Sequence, residues 1–271
     1  MTNLPTVAAG LFLACFLGLT SNKVLAASEP ARSAAVAAPV ALNAAERAYY
    51  TAAFEQHVAA TYAQAQLVQA GLPADTFRKA LIGFYSLQQR GLVSGTCHVL
   101  TIVDFGRSST QERFWVVDLA TGRLIHHSLV AHGKNTGEEY ARTFSNQEGS
   151  EMSSLGFYVT GNTYQGKHGL SLRLQGVDAG YNTNALSRSV VVHGADYVSR
   201  EFVRQHGRLG RSQGCPALPT AQAPAIIRTI QGGTVLFANA PAQTAYQSEW
   251  LGLDRALVAF AQQKKLVLRA S

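Results

Sequence analysis

The chain has 271 residues, only 14% of them charged, with a formal net charge of +7 and three cysteines. That length is enough to bury a core without disulfides. The positive excess is scattered, with no Lys/Arg run that would line a nucleic-acid groove, so nucleic acid is not an expected partner.

Residues 6–20, "TVAAGLFLACFLGLT", form an apolar run shorter than the roughly 20 residues of a spanning helix. Ala26 and Ala27 suit cleavage, so 1–27 reads as a secretory signal peptide, although no Lys or Arg precedes Lys23. An uncleaved anchor and lipid attachment at Cys15 are the competing readings, and Phe12 and Leu13 fit lipid attachment poorly. With the leader gone, no membrane span is expected, and the destination is the periplasm or cell wall. Residues 28–41, rich in Ala and Pro, read as a linker.

Residues 42–93 read as an N-terminal helical arm. Asn43 with Glu46 three residues later resembles a capping box, and Gly71 is a candidate stop. A second helix is expected over about 74–90, with Phe77, Leu81, Phe84 and Leu87 on one face and Gly91 at its end. From residue 95 the period changes to two. "TCHVLTIVDF" and "RFWVVDL" are expected strands, the latter feeding a hairpin turned at Thr121–Gly122. "LGFYVTG", "GLSLRLQG", "SVVVHG" and "GGTVLFANA" follow. Such strands with Gly-rich connections imply a mainly β domain over 94–242, an antiparallel sandwich or a barrel-like sheet. Residues 243–271 form a C-terminal extension. Trp250, Leu253, Leu257 and Phe260 lie there at helical spacing, for a helix that packs back on the domain or binds a partner.

The chemistry concentrates in "GRLGRSQGCPALP", residues 207–219. A nucleophilic cysteine needs a base and donors for an oxyanion. Cys215 is the candidate nucleophile. His193, at the end of a buried strand, is the candidate base, and Gly194 after it lets the chain turn. The Gly214 and Cys215 amides are candidate oxyanion donors. Arg208 and Arg211 read either as a clamp on a substrate carboxylate or as solvated surface charge. Cys97 reads as a buried strand thiol; a Cys97–Cys215 disulfide is the competing reading. His126, His127, His193, His206 and Cys215 lack the short paired spacings of a zinc site, so no metal and no cofactor are expected.

"VVVHGADYV…GRLGRSQGCPAL" resembles the His-Gly…Ser-x-Gly-Cys signature of the murein L,D-transpeptidase (YkuD-like) catalytic-domain family. The likeness continues through "VAHGKNTGEEYARTFSNQEGSEMSSLGFYVTGNTYQGKHGLSLRLQG" and, with "DFGRSS" at 104–109, covers roughly 95–240. It implies an L,D-transpeptidase-like β-sandwich with Cys215 as nucleophile and His193 as general base. In the family the histidine is oriented by a backbone carbonyl or small polar residue, a role that falls to Gly194. Ser212 matches the family's Ser/Thr, and Gln213 stands where the common form has His. Ser154, in the "SSLGFY" segment that resembles the groove lining, is expected at the substrate together with Ser212, Gln213 and His168. Pro216-Ala217 replace an Arg after the Cys, and the His-to-Cys gap is longer than usual.

The resemblance implies peptidoglycan stem peptides as donor and acceptor. A thioester would form at an L-centre carbonyl and pass to a diaminopimelate amine. The departures resemble a divergent branch that makes one-to-three cross-links, read here slightly ahead of three-to-three ones. Acylation of Cys215 by carbapenems is expected as well. Hydrolysis on the same site, as a carboxypeptidase or endopeptidase, and an inactive wall-binding module are the alternatives. A sortase-like transpeptidase fits the "SQGCPAL" loop poorly.

Overall fold

A computed structural model describes residues 41–266. The expected signal peptide, Cys15 and almost all of the linker lie outside the described residues. None of the described helices is long and apolar enough to cross a membrane.

Helix α1 spans Ala44–Gln64. It starts as its sequence dictates: Asn43 Oδ1 accepts from the Glu46 N–H, and the Glu46 carboxylate accepts from the Asn43 N–H. It ends before the expected stop, and Gly71 closes the following turn at φ +71°. Helix α2 spans Ala74–Gln89 and ends before Gly91, at φ +70°. Eight strands follow: β1 (Val99–Asp104), β2 (Phe114–Asp118), β3 (Arg123–Ser128), β4 (Gly156–Gly166), β5 (Gly169–Gly176), β6 (Val191–Ala195), β7 (Ala217–Pro219) and β8 (Val235–Asn239). Gly122, at φ +62°, turns the β2–β3 hairpin, and the Asp118 carboxylate accepts from the N–H groups of Ala120 and Thr121. Two short helices went unread in the sequence: α3 (Arg200–His206) and α4 (Ala223–Ile230). Helix α5 (Leu253–Gln263) is the expected C-terminal helix.

The strands form one mixed sheet in the order β3-β2-β1-β8-β4-β5-β6-β7. β1 runs parallel to β8, and β6 parallel to β7; the other neighbours are antiparallel. The sheet curls until its two ends meet. Just beyond β3, Ala131 bridges Ala217 of β7, and Gly133 bridges Ser212. The barrel-like alternative therefore describes the mainly β fold better than two stacked sheets.

The central strands are buried on both faces by strict alternation. Leu100, Ile102, Trp115, Phe157, Val235 and Phe237 face the helices. Val103, Phe114, Val116, Tyr158, Leu236 and Ala238 face the interior of the curl, where Ile226, Ile227 and Ile230 of α4 pack. The helices of the expected N-terminal arm are thus no separate body. Phe54, Phe77, Leu81, Phe84 and Leu87 share one core with the sheet and with Phe260 of α5. Gly83 is the reason α2 can lie so close: a Cβ there would sit 2.0 Å from the Phe157 ring.

Cys97 precedes β1 rather than lying within it. It is half-buried, and both described cysteines are free thiols. The disulfide reading is therefore set aside.

Candidate active site

The parallel pairing of β6 with β7 creates the site. His193 stands opposite Ala217 in the register. Cys215 lies two residues upstream of that partner, just outside the strand. Strand spacings put their Cα atoms roughly 8 Å apart, within reach of an imidazole and a thiol. The sheet's closure fixes the approach from the other side. The Ser212 N–H donates to the His132 carbonyl at 2.9 Å, and the Lys134 N–H donates to the Ser212 carbonyl at 2.8 Å.

His193 is 4% exposed, and its Nδ1 lies 2.9 Å from the Gly194 carbonyl. A carbonyl only accepts, so Nδ1 carries the proton and Nε2 of the neutral ring is left as a base. Gly194 is tightly seated, with Thr220 Cα 3.2 Å from where a Cβ would be. Burial lowers the His193 pKa below its usual value, and the nearby charges of His168 and Lys167 act in the same direction, against the Gly194 hydrogen bond. The Cys215 thiol is half-buried and pushed up by burial, offset in part by the Val191 N–H, 3.4 Å from Sγ, and by the Arg188 and Lys167 charges. Sγ also lies 3.7 Å from the Ser189 carbonyl. Both shifts favour the uncharged thiol and imidazole at neutral pH.

The two residues line one cleft of about 450 Å³. His168 enters it from the β4–β5 turn, its ring stacked on that of His193 with centroids 4.5 Å apart. Gln213 and Arg211 also line it. Five of the expected site residues are already engaged within the protein. The Gly214 N–H donates to Ser212 Oγ at 3.1 Å and is already engaged; the neighbouring Cys215 N–H has no backbone partner among the described residues. The Ser212 hydroxyl in turn donates to the Cys215 carbonyl at 2.6 Å and so shapes the loop, while Ser212 itself lines the cleft. Arg208 does not line the cleft. It pairs with Glu138 at 2.8 Å, and Arg211 binds the same carboxylate at 2.6 Å together with the Lys134 and Gly137 carbonyls. Ser154 is buried, donating to the Ser145 carbonyl at 2.8 Å and accepting from Arg188.

Arg188 is the residue that sequence reasoning missed. Its guanidinium also donates to the carbonyls of Ser145 and Met152, both at 2.7 Å, and so holds the 145–154 segment against the cleft. Nothing in "ALSRSVV" marks it, because its partners lie about 40 residues away. His132 is buried beneath the Cys loop, accepting from Arg113 at 2.7 Å, with its pKa pushed down to about 3 by burial and by Arg113. His206 lies on α3, stacked on Phe202. No cluster of His, Cys, Asp or Glu among the described residues has the makings of a metal site.

Residues 68–239, more than half of the chain, match the L,D-transpeptidase catalytic domain. The chain belongs to this family. Among solved structures it is similar to an L,D-transpeptidase from Mycobacterium smegmatis, at 15% identity and TM-score 0.33, covering 53% of this chain and 59% of that one. L,D-transpeptidase 3 from Mycobacterium tuberculosis gives 11%, 0.34, 53% and 61%. The helical cell shape determining protein Pgp2 from Campylobacter jejuni gives 9%, 0.36, 68% and 64%. The chain thus spans less than two thirds of each of these structures. A comparison with curated proteins found no match.

A pH dependence follows from the base. With His193 as the general base, its lowered pKa predicts that kcat/KM rises with pH through a midpoint below about 6.5 and then levels off. A pH–rate profile with stem peptide checks this; a midpoint above that value would show a different base.

Proposed function

We propose that this protein is an exported peptidoglycan L,D-transpeptidase that works through a Cys215 thioester. The observation that supports it most is the shared cleft of Cys215 and His193, with His193 Nδ1 fixed on the Gly194 carbonyl. In the forward half-reaction His193 Nε2 takes the thiol proton as Sγ adds to an L-centre carbonyl of the donor stem. In this reading the Cys215 N–H serves as the oxyanion donor. The C–N bond then breaks, the imidazolium returns its proton to the departing amine of a D-residue, and the acyl group stays on sulfur. The diaminopimelate amine of a second stem attacks the thioester and gives its proton to His193, which passes it to the departing Cys215 sulfur and restores the thiol and neutral imidazole.

Two stem bonds join an L-centre carbonyl to a D-residue amine. One lies between diaminopimelate and D-alanine, the other between L-alanine and D-glutamate. We favour the second, hence one-to-three cross-links, because Gln213 and the "FSNQEGS…SSLGFYVT" body depart from the common form. Water in place of the acceptor amine would give a carboxypeptidase or endopeptidase on the same residues. The apolar leader supports export to the periplasm or cell wall, where such substrates are.

Intact mass of the purified protein after exposure to disaccharide tetrapeptide tests the reading. We expect an adduct on Cys215 of disaccharide plus L-alanine. An adduct equal to the donor minus D-alanine alone would reassign the donor to position three. No adduct and no product would turn the reading to a wall-binding module.

A further inference from the structure

The cleft around Cys215 is cationic, with three basic side chains, Lys167, Arg188 and Arg211, and no carboxylate among its lining residues. Two of the three are committed. Arg211 is held by Glu138 and two backbone carbonyls. Arg188 spends its guanidinium on the carbonyls of Ser145 and Met152 and on the hydroxyls of Ser150 and Ser154. Lys167 makes no ion pair or hydrogen bond with any described residue. It is exposed at the two-residue turn of the β4–β5 hairpin, where Gly166 pairs with Gly169 and Gly169 takes φ +75°. The tight turn and the long strands behind it hold the tip in place, and the adjacent His168 ring rests on His193. The Lys167 charge reaches both members of the pair, acting on His193 and on Cys215.

Building on the transpeptidase reading above, we propose that Lys167 is the specificity-determining residue that binds the free α-carboxylate of the departing D-residue. Both candidate donor bonds share that chemistry. The departing nitrogen is attached to a D-configured Cα that carries a carboxylate, whether the residue is terminal D-alanine or γ-linked D-glutamate. The anion therefore sits three bonds from the carbonyl carbon under attack, on the leaving side. A lysine beside the nucleophile with no partner among the described residues meets it with a charge-assisted hydrogen bond, and gives up none of the described pairs in doing so. The same contact would select against stems whose α-carboxylate is amidated.

The test compares wild type, Lys167→Met and Lys167→Arg on a stem-peptide donor with a free α-carboxylate on the departing residue and on its amide. On the carboxylate donor, Lys167→Met should lower kcat/KM by about 10- to 100-fold, mostly through KM, while Lys167→Arg stays within about 5-fold. On the amide donor, wild type and Lys167→Met should differ by less than about 3-fold. Equal losses on both donors would overturn the proposal. A second measurement needs no transpeptidase activity: the rates at which iodoacetate and iodoacetamide alkylate Cys215, read by peptide mass so that Cys97 is counted separately. Lys167→Met should lower the iodoacetate-to-iodoacetamide ratio about 5-fold, and an unchanged ratio would overturn the anion site. Wild type that turns over neither donor yet shows the charge-dependent ratio would remove the transpeptidase reading and keep the anion site. Turnover that ignores the carboxylate would do the reverse.

Discussion

Replacing Cys215 by Ser is expected to abolish acyl transfer, a fall of about 10⁴-fold or more, while the protein stays folded. The half-buried side chain is isosteric in Ser, and the contacts around it, to the Val191 N–H and the Ser189 carbonyl, suit an alcohol as well as a thiol. What changes is chemistry. An alcohol with a neutral imidazole, and with no further charged partner on that imidazole, is a far weaker nucleophile than a thiol. His193→Ala should cost about 10²- to 10⁴-fold, because a thiol raised by burial then has nothing to take its proton. Raising the pH toward 9 should rescue part of the His193→Ala loss and none of the Cys215→Ser loss. Retained turnover in Cys215→Ser would remove the nucleophile assignment; a His193→Ala enzyme at full rate near pH 7 would remove the base. Mass-detected acylation separates the two steps, since Cys215→Ser should form no thioester while His193→Ala forms one slowly.

These two residues were legible in the sequence because the signals that mark them are local. A buried run ending in His-Gly and a glycine-flanked cysteine each stand within a few residues of chain. The fold's class was legible for the same reason: alternation along β1, β2, β5 and β8 is written residue by residue. What long-range pairing decides was not. β1 lies beside β8 in parallel, more than 130 residues later, and no local period announces that. Arg208 and Arg211 read in the sequence either as a clamp or as solvated surface charge, because no acid near them in the chain names a partner. Glu138, at least 70 residues upstream, takes both. Nothing local in the sequence marks Lys167; that it has no partner among the described residues shows only once the other basic side chains of the cleft are accounted for. Gly214 was rightly placed beside the nucleophile, but its amide could not be known to be occupied until the Ser212 hydroxyl was seen against it.

Gly214 carries the second large effect. It takes φ +118°, a conformation that L side chains rarely adopt, and a Cβ there would lie 2.7 Å from the Met152 carbonyl oxygen. That oxygen is fixed, because Arg188 donates to it at 2.7 Å. The other side gives no room either: a Cβ on Gly133 would come within 3.0 Å of Gly214 Cα, so the two backbones are close. Gly214→Ala must therefore combine backbone strain with overpacking, about 2–4 kcal/mol in sum, seen as a fall in Tm of roughly 5–10 °C. The relief available is a shift of the 212–215 turn away from Met152. That shift moves Sγ and the Cys215 N–H relative to His193, and a displacement near 1 Å is enough to cost acyl transfer about 10²-fold. Gly207→Ala is the control. Gly207 takes a left-handed φ of +73° as the C-cap of α3, but a Cβ there meets nothing within 4 Å. It should lose about 1 kcal/mol of stability and keep its rate. If Gly214→Ala behaved like Gly207→Ala, the close approach to Met152 would not constrain the nucleophile's loop. If Gly214→Ala alone lost its rate, the loop's geometry, and not its mere presence, would be what lets Cys215 meet His193.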